Sequence, residues 1–212
     1  MRLKATPPKN TFVASQFKNK IMNKKITGLI AMLTSPFLAV DTMIHGSFDS
    51  YNSTSLGGFL NLIYMTGWLL ALIFLYRVHA DCSKNVKAVF IIQFIFLFLA
   101  ELWNVWTCID PKSNHLVFRT LDLFWPISNT FMFITGLTIL LAKKVRGWQR
   151  YIPLIVGLWL PTGVVTILAF GRSGLSATIV SIYSVVAWSL LGLSIYTSRQ
   201  GIQYSSLFTQ AA

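Results

Sequence analysis

Six long apolar runs alternate with short polar breaks along this chain. Each run is near the roughly 20 residues that a helix needs to cross a bilayer. They predict spans at Ile26–Gly46, Gly57–Tyr76, Ala88–Cys108, Thr120–Ala142, Tyr151–Phe170 and Ala177–Thr197, and the breaks leave no room for a soluble domain. The expected fold class is all-α: a polytopic membrane bundle of six transmembrane helices with short loops. A tail over residues 1–25 precedes the membrane domain at 26–200, and a shorter tail covers 201–212. Pro36 and Pro161 fall inside the first and fifth spans, and Pro126 in the first turns of the fourth. Membrane helices tolerate interior prolines where neighbours satisfy the freed carbonyls. Spans one and two loosely echo spans five and six, each pair being a proline-bearing helix and then a return helix. The match needs gaps, and it is a hint of a repeat only.

Helical periodicity of 100° per residue sorts the polar positions onto faces. In the third span Gln93, Glu101, Asn104 and Cys108 fall within an arc of about 80°. In the fourth, Asp122, Trp125 and Asn129 share about 60°, and Gly136 continues the stripe. The first span groups Thr34, Asp41 and His45, and the second Asn61, Tyr64 and Trp68. The fifth groups Trp159, Thr162 and Thr166, and the sixth Ser181, Ser184 and Trp188. Each helix can turn one polar or aromatic stripe inward and an apolar surface outward.

Charge sets the orientation. The chain carries 18 Lys and Arg against 6 Asp and Glu, a net +12, yet only 11% of residues are charged. Read alone, the excess would suit nucleic acid. Its placement at the ends of spans excludes that partner and fits the positive-inside pattern instead. The tail, Arg77–Lys87, Lys143–Arg150 and the C-terminus hold all the basic residues except Lys112, Arg119 and Arg172. Both termini are therefore expected inside, in a plasma or inner membrane, an organellar membrane being the alternative. The bilayer is the expected partner, and the sequence leaves self-association open. Cys82 and Cys108 then lie at opposite faces, too far apart for a disulfide.

With this orientation, Asp41, His45, Glu101 and Asp122 all lie in the outer half of their spans. Ionisable groups at membrane depth are expensive and by default mark a site. The expected site is an outward-facing polar and aromatic pocket built from Asp41, His45, Asn61, Glu101, Asn104, Asp122, Trp125 and Asn129. Glu101, the deepest, would be the main charged contact, with His45, Asn104, Asn129 or Asn61 as partners. Asp41 and His45 also fit a local i,i+4 hydrogen bond, and Asp122 a helix N-terminal acid. A metal site from Asp41, His45, Glu101 and Asp122 is the weaker reading, because one histidine is a thin ligand set. Trp68, Trp125, Trp159 and Trp188 either wall the pocket or pack the helices.

Three functions fit this inventory. The first is binding or transport of a small polar, cationic or amphipathic ligand. The second is acid–base catalysis by Glu101, Asp122 and His45 on a lipid or isoprenoid-like substrate, and the third a structural assembly subunit. The cofactor is left unspecified. Bis-histidine haem needs a second in-span histidine and a retinal Schiff base an in-span lysine, and the chain has neither. Gly171-Arg-Ser-Gly174 resembles the Gly-x-Ser-Gly of rhomboid proteases over four residues only. No histidine follows His115, so a glycine-rich turn is the plainer reading.

Overall fold

A computed structural model describes residues 23–45, 54–145 and 147–198, without the side chain of His45, and the regular structure in them is helical. Residues 1–22 and 199–212, most of both expected tails, lie outside the described residues. Helices α1 (Lys24–Thr34) and α2 (Phe37–His45) form the first span, α3 (Ser55–Val78) the second and α4 (Lys84–Ile109) the third. Helices α5 (Leu116–Asp122) and α6 (Phe124–Ala142) form the fourth, and α9 (Gly174–Thr197) the last. Between them, α7 (Ile152–Gly157) follows the turn Gly147–Arg150 and meets α8 (Trp159–Phe170) at a bend of 50°. The molecule is a helical membrane bundle of five long apolar spans, or six with the bent pair counted as one.

The prolines account for the breaks. Pro36 has no N–H to offer the carbonyl of Met32, four residues back. The Ser35 hydroxyl takes that carbonyl instead, at 2.8 Å. Its proton is thereby committed, so the Ser189 hydroxyl of α9 is the donor in the 2.6 Å contact between the two serines. Pro126 and Pro161 each stand third in the helix after a break, where a fixed φ suits the first turn. At the α7–α8 bend the Tyr183 hydroxyl donates to Ile155 O at 2.6 Å. Helix α9 thus braces both broken spans. Ser173 caps α9 reciprocally with Ser176, so the Gly-x-Ser-Gly segment is a helix start.

Neighbours in the chain are neighbours in space, and α9 closes the bundle by lying along α1. Apolar side chains gain nothing by leaving lipid for one another, so close packing must hold such helices together. Two crossings bring backbone against backbone. A Cβ added to Gly28 of α1 would lie 2.6 Å from Gly192 O, and one on Gly192 would lie 2.6 Å from Met32 N. Gly136 of α6 and Gly157 of α7 likewise face the main chain of Leu154 and Phe133. At one edge of the bundle, Lys24 Nζ donates to Ser198 O at 2.8 Å and so caps the end of α9.

The polarity is that of a body in lipid. Asn61, Gln93, Asn104, Ser128 and Ser184 are buried, while Ile109, Leu116 and Leu168 are about four-fifths exposed. The inward stripes expected from periodicity are the buried ones in α3 and α9, whereas in the fourth span Asn129 and Gly136 are buried, Trp125 only partly so, and Asp122 is exposed.

Substituting Gly192 by Ala should lower stability by about 2 kcal/mol, the order expected for overpacking. Gly163→Ala should leave it unchanged or raise it by up to ~1 kcal/mol, because that Cβ would meet only Val180 methyl groups, at 3.8 Å. Denaturation midpoints of the two variants in detergent micelles check both signs.

Candidate functional site

Most buried hydroxyls turn back on their own helix. Ser128 and Asn129 both bond Trp125 O, at 2.8 and 2.9 Å. Thr107 bonds Trp103 O, Thr135 bonds Phe131 O, Thr166 bonds Thr162 O and Ser184 bonds Ser181 O. Such i−3 and i−4 bonds satisfy the hydroxyl without help from a ligand or a second helix. Asn129, expected in the pocket, is of this kind: it is buried, with its amide spent on Trp125 O.

A shorter set of polar contacts crosses between helices. Asn61 Nδ2 donates to Asp41 Oδ2 at 2.9 Å, joining α3 to α2, and also to Gly57 O at 3.0 Å. Gln93 Nε2 donates to Ser128 O at 3.1 Å. Thr66 Oγ1 donates to Glu101 Oε1 at 2.8 Å, joining α3 to α4. Asn104 Nδ2 reaches Glu101 Oε2 at 3.4 Å and Met65 Sδ at 2.8 Å. Asn61 and Thr66 are about 140° apart around α3, so Asp41 and Glu101 occupy different flanks of that helix.

These contacts redraw the expected site. Asp41 with Asn61 is one pair and Glu101 with Asn104 another. Asp122 ends α5 with its side chain exposed. The His45 side chain lies outside the described residues. The helices therefore do not gather the three acids around one cavity. No set of three or more His, Cys, Asp and Glu side chains among the described residues is placed to hold a metal ion. Glu101 and Asp122, expected to share acid–base work, have no hydrogen bond to one another among the described residues. The cause is angular: Glu101 lies about 80° from Gln93 around α4, at the edge of the buried stripe.

The centre of the bundle is aromatic. Trp188 meets Tyr64 and Trp68 at ring distances of 5.4 Å, and Trp159 at 6.3 Å. Trp125 stands edge-on to Trp159 at 5.1 Å. Edge-to-face stacks of this kind fill space well and add to the packing energy. The four tryptophans expected as pocket walls or packing are in contact with one another. The indole N–H groups of Trp68, Trp159 and Trp188 are buried with no hydrogen-bond acceptor among the described residues.

The structure adds a feature that the sequence did not reveal. On the outside of the α3–α4 seam, Leu69, Ile73, Phe94, Ile95, Phe98 and Leu99 line a wholly apolar groove of about 340 Å³. Neither Thr66 nor Glu101 lines the groove, but Thr66 is one turn from Leu69 and Glu101 one turn from Phe98, so the half-buried carboxylate lies about one helical turn beyond it. Thr66 escaped notice because it lies off the stripe of Asn61, Tyr64 and Trp68. Its signal in the sequence is weak: a lone threonine on an apolar face, set against a carboxylate that is also off its own stripe.

A second residue, His79, looked like an ordinary loop position. It caps α3 and is fully buried. Its Nδ1 lies 2.8 Å from Leu75 O, and because a carbonyl can only accept, Nδ1 carries the proton. The ring lies 5.6 Å from that of Phe90, and Nε2 is buried with no hydrogen-bond partner among the described residues. Burial lowers the affinity of this imidazole for a second proton, the Leu75 bond partly opposes the shift, and Lys144 reinforces it.

No protein-family model, no curated protein and no solved structure matches this chain. The site itself carries the functional argument.

The lowered basicity of His79 has a definite sign. The unfolded chain takes up this proton first, at about pH 6.5, so the stability that neutral His79 contributes is present above that pH. It is lost as the pH falls through about 6.5 towards the lower folded-state value. The denaturation midpoint in micelles should therefore fall between about pH 7 and 5.5, and His79→Gln should flatten that part of the profile.

Proposed function

We propose that this protein binds an amphipathic ligand laterally from the bilayer, at the α3–α4 seam, with Glu101 as the polar contact and the apolar groove as the seat of the tail. One observation supports this above the others: the carboxylate of Glu101, held by Thr66 and Asn104, lies about one helical turn beyond an apolar groove on the outer surface. Intramembrane carboxylates are expensive to keep. A carboxylate needed only to join two helices would be better sealed between them than left half-exposed at their flank.

The geometry also suits the direction of approach. On the positive-inside orientation, Ile109 is the outer end of α4, and Glu101 lies about 12 Å in from it. Phe94 to Leu99 lie about 15 to 22 Å in, near the middle of a helix of this length. A bound molecule would thus have its head towards the outer boundary and its tail towards the midplane. Lipids of the outer leaflet have that orientation already. Binding of this kind needs no path through the aromatic centre.

The test is photolabelling in nanodiscs with a matched pair of probes, dodecylamine and dodecanol, each carrying a diazirine near the tail end. At least one probe should label peptides containing Leu69–Ile73 or Phe94–Leu99, and an excess of its unlabelled parent should compete it away. Labelling by neither probe, or labelling that no excess reduces, overturns the proposal.

A further inference from the structure

Resting on that reading, we infer that the ligand's head is an N–H-bearing cation, an alkylammonium in class, and that Glu101 selects it over neutral and quaternary heads. Four features of the structure lead there. First, no basic side chain among the described residues hydrogen-bonds to Glu101, whose partners are Thr66 and Asn104. In sequence none stands between Lys87 and Lys112, or between Lys25 and Arg77. Along their helices Lys87 is about 21 Å from Glu101, and Arg77 about 16 Å from Thr66. A carboxylate at membrane depth gains most from a cation brought to it.

Second, the protein's own donors leave acceptor capacity unused. Thr66 occupies one site on Oε1, and Asn104 reaches Oε2 at a long 3.4 Å. An ionised carboxylate has about four lone-pair sites. Asn104, fully buried beside it, keeps an Oδ1 with no hydrogen-bond donor among the described residues. Beyond Thr66 and Asn104, no donor among the described residues hydrogen-bonds to the acceptors of this corner.

Third, the surroundings argue against a quaternary ammonium. Such cations are held by aromatic faces, tryptophan best. The groove offers only the phenyl rings of Phe94 and Phe98. The nearby Trp103 is buried within 5.8 Å of Phe118, so its ring is already engaged.

Fourth, the tail cannot supply the selectivity. Lipid chains are as apolar as Leu69 and Ile73, so a tail moving from bilayer to groove gains packing without a hydrophobic driving force. Discrimination among amphiphiles of equal length must come from the head.

The experiment uses the full chain in nanodiscs of zwitterionic lipid, with empty discs to subtract partitioning. Unlabelled dodecylamine, dodecanol and dodecyltrimethylammonium compete against whichever diazirine probe labels the groove. Dodecylamine should compete at a concentration at least tenfold lower than either of the others. Glu101→Gln keeps the shape and the contact with Thr66, and should bring the three to within about twofold. Thr66→Val, which removes the hydroxyl donor but leaves the charge, should keep dodecylamine first. Equal competition by dodecanol in the unsubstituted protein overturns the ammonium class while leaving lateral binding in place. Preference for dodecyltrimethylammonium does the same. An undiminished preference for dodecylamine in a folded Glu101→Gln variant removes Glu101 from the selection. Absence of any saturable labelling sinks the lateral site itself, and this inference with it.

Discussion

Backbone touches backbone at Gly28 with Gly192, and again where Gly136 meets Leu154 and Gly157 meets Phe133, and the rest of the bundle is arranged around that closeness. In water, burying leucines would draw the helices together; in lipid it does not, and shape must do the holding. The first crossing closes α9, the last described helix, against α1, the first. The second fixes the bent fifth span on the fourth. Neither tolerates a side chain in place, because the atoms that a Cβ would meet are main-chain atoms. With these seams shut, the remaining central volume is taken by Tyr64, Trp68, Trp159 and Trp188.

That filling decides where chemistry can happen. An aromatic centre leaves the inward hydroxyls little to do except bond their own helices, as Ser128, Thr135 and Ser184 do. Polar groups that reach a neighbouring helix are fewer, and each has a particular task. Ser35 and Ser189 repair the carbonyl that Pro36 leaves open. Asn61 holds Asp41. Among the described residues, Glu101 combines a charge, a half-exposed position and an apolar groove about one helical turn away. The proposed site therefore lies on the outer surface of the α3–α4 seam and not in the aromatic interior.

The sequence carried the fold well and the site only in outline. Apolar run length is a coarse property, and it survives local detail: the fourth span begins at Leu116 rather than Thr120 because a short helix precedes the Leu123 break. Pro36 and Pro161 marked the interrupted spans. The width of each break depended on neighbours such as Ser189 and Tyr183, which no pattern in one helix can name. Periodicity placed Gln93 and Asn104 correctly on the buried face of α4. It could not tell the centre of that face from its edge, and Glu101 lies at the edge. An 80° arc is wide enough to point at two different neighbours. For the same reason the acids, alike in depth, were expected to converge and do not. His79 was invisible because burial of a loop residue depends on how the adjoining helix ends pack.

The most direct check is where the α3–α4 flank points. Spin labels at Thr66→Cys and Phe98→Cys in nanodiscs can be relaxed by oxygen, which collects in the bilayer, or by a water-soluble nickel chelate. The account predicts strong relaxation by oxygen and little by nickel at both positions. Strong nickel relaxation there, as in a water-filled interior, would contradict it.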